Sequence, residues 1–90
     1  MNIMYNEEDM AEYRRIVEKR KEEIVATYDH HQLAQKLQEN LLTLSGGSYS
    51  YVAGYLVSVL AQVAKHGIDE LTDAVDYTNQ RVENMKRGNA

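Results

Sequence analysis

The sequence predicts a small all-α bundle of three to four helices, and three observations favour it. The chain of 90 residues holds no proline and only five glycines, so long uninterrupted helices are expected. Apolar residues recur at three- and four-residue spacing along the chain, which is the period of helices. Capping signals place the helices at about residues 6–27, 30–44, 49–66 and 69–87, in a single domain of residues 1–90.

The first two helices are predicted to be separate. The first begins at Asn6, because asparagine is a good N-cap and three acidic residues follow it. Asp29 and Gln32 form a variant of the capping box, which predicts a break there rather than one rod of about 60 Å. The first apolar stripe, interrupted once at Arg20, consists of Met10, Tyr13, Val17 and Ile24. The second consists of Leu33, Leu37, Leu41 and Leu44.

The third helix has apolar residues on nearly all of its faces. Such a helix is normally buried or binds something, so the prediction is a bundle arranged around this third helix. A chain this short has a thin core, and we expect oligomerisation to complete it. One stripe at four-residue spacing would let another helix approach closely, and it consists of Ser50, Gly54, Ser58 and Gln62.

The fourth helix follows a predicted C-cap at Gly67 and is capped by Asp69. Its seam has the three-four rhythm of a heptad, with Thr78 at the one position that is not apolar. The apolar members of the seam are Ile68, Leu71, Val75, Val82 and Met85.

The run SYVAGYLVSVL, at residues 50–60, resembles a stretch found in small helical accessory proteins of bacteriophages and related mobile elements. The resemblance covers about an eighth of the chain, and no functional residue is carried over from it. It implies a small non-catalytic protein that binds or modulates another molecule. The apolar third helix and the thin core add the expectation of self-association. The expected function is therefore self-association and binding of another macromolecule, as an accessory or inhibitor protein of a phage or mobile element.

Composition and charge exclude several classes of protein. A net charge of −4 disfavours a nucleic-acid binder, and the absence of cysteine excludes disulfides and thiolate chemistry. Adjacent His30 and His31 point in different directions on a helix, so no metal site is predicted. No catalytic set is evident, so neither an enzyme nor a cofactor is expected. The acidic N-terminus and the short apolar run at 49–64 predict a cytoplasmic protein without membrane contact.

Two sites are predicted around the third helix. The first is an interface in a dimer or larger homo-oligomer, formed by Tyr51, Gly54, Tyr55, Ser58 and Gln62. The alternative is a pocket for an anionic, nucleotide-like ligand, because a glycine loop before a helix presents free backbone N–H groups. Its residues would be Ser45, Gly46, Gly47, Ser48 and Tyr49. A helix-turn-helix regulator is a weaker alternative, suggested by LAQKL at residues 33–37.

Overall fold

The computed structural model describes residues 7–88, which form four helices joined by short connections. They are α1 (Glu7–Thr27), α2 (His30–Ser45), α3 (Tyr49–His66) and α4 (Asp69–Gly88). No strand occurs among residues 7–88, so the all-α prediction is confirmed. The helix bounds lie within one residue of the predicted ones, and the predicted N-cap Asn6 lies outside the described residues.

Local capping separates α1 from α2 as predicted. Asp29 Oδ1 accepts a hydrogen bond from the Gln32 N–H at 2.8 Å, and Gln32 Oε1 accepts one from the Asp29 N–H at 2.9 Å. The reciprocal pair is the capping box, and only Tyr28 and Asp29 lie between the two helices. Gly46 ends α2 in the left-handed conformation, with φ 67°, which glycine adopts without steric cost.

The central helix is α4, not α3. Among residues 7–88, α4 contacts all three other helices, whereas α1 contacts α4 alone. The prediction that the bundle surrounds α3 was therefore wrong in its arrangement: α3 buries only Val52 and Val59. The physical reason is that only two helices, α2 and α4, pack against α3, and they cover one of its sides. The remaining helix, α1, packs against α4 instead. The buried apolar core consists of Ile24, Leu33, Leu37, Leu41, Val52, Val59, Leu71 and Val75.

A buried polar contact joins α2 to α4. The Asn40 side chain, which is 4% exposed, donates to Thr78 Oγ1 at 2.9 Å and to Asn79 Oδ1 at 2.8 Å. Thr78 Oγ1 in turn donates to the backbone oxygen of Ala74 at 2.8 Å. Since buried polar groups need partners, this network fixes how the two helices align.

Replacing Asn40 with alanine is expected to lower the free energy of unfolding by about 1–3 kcal/mol, because two buried hydrogen bonds are lost. Urea denaturation followed by circular dichroism measures the change. The matched control is Gln38→Ala, at an exposed position of the same helix, with an expected change of less than about 0.5 kcal/mol. Equal effects of the two substitutions would contradict the proposed role of the network.

Ion pairs attach α1 to α4. Arg20 donates to both carboxylate oxygens of Asp76, at 2.8 and 3.2 Å, and Lys21 Nζ lies 2.7 Å from Asp73 Oδ1. The hydrogen bond with Asp76 raises the pKa of Arg20, and the one with Asp73 raises the pKa of Lys21. Arg20 interrupts the apolar stripe of α1 because its partner is a buried acid of α4. Ile24 is the one buried residue of α1.

Candidate functional site

The solvent-facing side of α3 is the candidate site, because it is apolar and exposed at the same time. No charged residue occurs from Tyr49 to Ala64, yet eleven of these sixteen residues are exposed. Val57 is 67% exposed and Leu60 is 62% exposed. The charged side chains of this domain all lie outside this run, so the face is uncharged over almost the whole length of the helix.

One part of this face is a row of apolar side chains, which we call the apolar seam. Its members follow one another at spacings of four, three and four residues, which places them on one side of the helix. All are exposed, and they are Ala53, Val57, Leu60 and Ala64. Sequence reasoning did not single out this row, although its spacing is the signal that could have found it.

Beside the apolar seam lies a shallow groove of about 280 Å³, which contains most of the predicted interface residues. It is lined by Gly54, Tyr55, Ser58, Val59 and Gln62. A Cβ added at Gly54 would meet no heavy atom within 4 Å. Among residues 7–88, Gly54 therefore serves no close helix packing, and the groove is open on its solvent side.

The fifth predicted interface residue, Tyr51, belongs to an aromatic cluster at the edge of the groove. Its ring centroid lies 6.0 Å from that of Tyr55. On α4, the guanidinium carbon of Arg81 lies 5.7 Å from the ring centroid of Tyr77, in range of a cation–π contact. Burial raises the pKa of the Tyr55 phenol above its ordinary value of 10.0, and Tyr51 and Tyr77 add to the shift. Sequence reasoning missed Tyr77 and Arg81, which come from another helix.

The raised pKa of Tyr55 predicts a loss of stability at alkaline pH. Above pH 10.0 the unfolded chain releases the phenol proton before the folded chain does. The free energy of unfolding therefore falls until pH exceeds the native pKa. Urea midpoints measured from neutral pH upward should decline less steeply for Tyr55→Phe than for the wild type. Tyr49→Phe, at a side chain that is 78% exposed, is the control and should keep the wild-type slope.

The predicted anion pocket has most of its donors already engaged. The N–H of Gly47 donates to the Leu42 oxygen at 2.8 Å, and the N–H of Ser48 donates to Ser45 Oγ at 3.1 Å. Ser48 Oγ accepts from the Tyr51 N–H at 3.2 Å, as an N-cap. These contacts favour a structural role for residues 45–49, which end α2 and begin α3, over a role in binding an anion.

Features expected of a nucleic-acid reader are weak on α3. The connection between α2 and α3 spans three residues, 46–48, which is a suitable length for a helix-turn-helix. However, α3 has no basic residue before Lys65, and phosphate contacts need positive charge. On α1, Arg20 and Lys21 are paired with acids of α4.

Comparisons with known proteins give no relative from which to transfer a function. The chain matches no protein-family model, and neither a curated protein nor a solved structure is detectably similar to it. Within residues 7–88, no helix combines the length and apolar character required to span a bilayer. Nor do these residues bring together three or more acidic or histidine side chains that could hold a metal ion.

Proposed function

We propose that this protein is a non-enzymatic helical protein that associates with copies of itself through the solvent side of α3 and acts by binding another macromolecule. The resemblance of residues 50–60 favours a role as an accessory or inhibitor protein of a phage or mobile element. The observation that supports the proposal is the uncharged, exposed apolar face of α3. Contiguous apolar surface of this kind marks interaction sites in soluble proteins.

A second copy of the chain suits this face for electrostatic reasons. With a net charge of −4, copies of the protein repel one another in general, but residues 49–64 of α3 carry no charge and add nothing to that repulsion. Burying Val57 and Leu60 against a neighbour is favourable, since a fully buried side chain of this kind contributes about 1.5–3 kcal/mol. Self-association would complete the cover that α2 and α4 give to only one side of α3.

We assign the binding of the other macromolecule to the N-terminal half of α1, which self-association through α3 would leave open. Its apolar side chains are exposed, at 43% for Met10, 64% for Tyr13 and 45% for Ile16. An amphipathic helix with such a stripe can dock into a groove of a partner. A Tyr13→Glu, Ile16→Glu double variant should lose partners captured from a cell extract, whereas a Thr43→Glu control, exposed on α2, should retain them.

Sedimentation equilibrium tests the self-association. At tens of micromolar the wild type should give a multiple of the protomer mass of 10.3 kDa. Val57→Lys should give a monomer, because it places a charge in the apolar seam. The matched control is Val25→Lys on α1, where the valine is 59% exposed, and it should stay associated. A monomeric wild type would overturn the proposal, as would equal association of both variants.

A further inference from the structure

We propose that two copies pair through antiparallel α3 helices, with Val57 of each copy packed against Leu60 of the other. The inference rests on the self-association proposed above and specifies its geometry. The partner is a second copy of this chain, and the contact surface is the apolar seam of Ala53, Val57, Leu60 and Ala64. The groove beside the seam lies at the edge of the pair.

The order of residue sizes in the seam suits an antiparallel pair. Read from either end, the seam is a small residue, two large residues and a small residue, with spacings of four, three and four. A two-fold axis that passes between Ser58 and Val59 places Ala53 opposite Ala64 and Val57 opposite Leu60. This axis lies within about one residue of the midpoint of α3, which spans Tyr49–His66, so the two helices overlap along nearly their full length.

The apolar side chains of the seam are left uncovered by the rest of residues 7–88. Val57 and Leu60 are among the most exposed large apolar side chains of residues 7–88, at 67% and 62%. In the antiparallel pair each of these side chains meets an apolar partner from the second copy. Helix axes in such pairs lie about 8–10 Å apart, depending on the side chains at the contact, and the alanines at both ends of the seam leave room for the helix ends to stay close.

Charge selects the antiparallel over the parallel orientation. Lys65 is the charged residue nearest the seam on α3, and it lies in the last turn of the helix. A parallel pair would place the two Lys65 ammonium groups side by side, within the distance of about 10 Å over which charges still interact in salt. An antiparallel pair places them at opposite ends. It also sets the positive end of each helix dipole beside the negative end of the other.

Disulfide cross-linking tests this orientation, and the chain has no cysteine of its own. With helix axes about 8–10 Å apart and Cα atoms about 2.3 Å from each axis, directly facing Cα atoms in such a pair lie about 3.4–5.4 Å apart. The upper part of that range suits a disulfide. The variants are Ala53→Cys and Ala64→Cys, each carrying a tag of different size. They are oxidised separately and as an equimolar mixture, and circular dichroism first checks that both remain helical.

The expected result is a cross-linked species of mixed tags in the mixture and almost none in either variant alone. Cross-linking of each variant with itself would overturn the antiparallel orientation and show a parallel pair. Reduced samples that sediment as dimers but form no mixed cross-link would also overturn the inference, while leaving self-association intact. Samples that sediment as monomers together with a monomeric wild type would instead overturn the proposed function on which the inference rests.

Discussion

Replacing Leu37 with alanine is expected to lower the free energy of unfolding by about 2–5 kcal/mol, the range for large-to-small changes in a packed core. Leu37 is fully buried, with no exposed surface, and lies within the apolar core that α2 shares with α4. The substitution removes apolar contacts and leaves a cavity that neighbouring helices can only partly close. Urea denaturation at low protein concentration, where monomers dominate, measures the change.

The same substitution on the solvent side of α3 should behave differently. Leu60 is 62% exposed, so Leu60→Ala should change the unfolding free energy of the monomer by less than about 0.5 kcal/mol. It should, however, weaken self-association, because Leu60 belongs to the apolar seam. If Leu60→Ala destabilised the monomer as much as Leu37→Ala, the assignment of α3 to the edge of the bundle would be wrong.

Replacing Asp76 with alanine is expected to cost about 2–4 kcal/mol of unfolding free energy. Asp76 is 7% exposed, and its loss leaves the Arg20 guanidinium partly buried without a carboxylate partner. Breaking a fully buried pair costs about 3–5 kcal/mol. The cost here is smaller because the Arg20 side chain is 29% exposed, so water can still solvate part of its charge. Thermal and urea unfolding measure the loss, and α1 should detach first because Arg20 is one of its few links to α4.

An exposed ion pair within α1 supplies the control for this prediction. Glu12 pairs with Arg15, and their side chains are 58% and 73% exposed. Because water and salt screen such pairs, Glu12→Ala should change stability by less than about 0.5 kcal/mol. A loss for Asp76→Ala no larger than for Glu12→Ala would show that the pair with Arg20 does not hold α1 in place.

The helix bounds were predictable from the sequence because capping depends on residues close in the chain. Asp29 and Gln32 bond each other across three positions, and Gly46 adopts its left-handed conformation where α2 ends. The position of α3 was not predictable in this way. A helix that is apolar all round fits burial within its own chain and burial against another copy equally well. Only the packing of the other helices distinguishes the two.

The candidate site was predictable in part. The four-residue spacing of Gly54, Ser58 and Gln62 indicated a face open to another helix, and these residues do line one exposed groove. The neighbouring apolar seam was missed because apolar residues occupy nearly all the other faces of α3, so the spacing of this one row did not stand out from that of its neighbours. The hydrogen-bond partners of Asn40 and Arg20 were also not predictable from the sequence. These partners lie on α4, more than 35 residues away in the chain.

Hydroxyl-radical footprinting by mass spectrometry, at low and at high protein concentration, tests most directly whether the solvent side of α3 is the association surface. Val57 and Leu60 should lose reactivity as the concentration rises, because a second copy covers them. Val25 and Tyr13 on α1, which are 59% and 64% exposed, should keep theirs as internal references. Unchanged reactivity of Val57 and Leu60 in a sample that sediments as a dimer, with protection on α1 instead, would contradict the account.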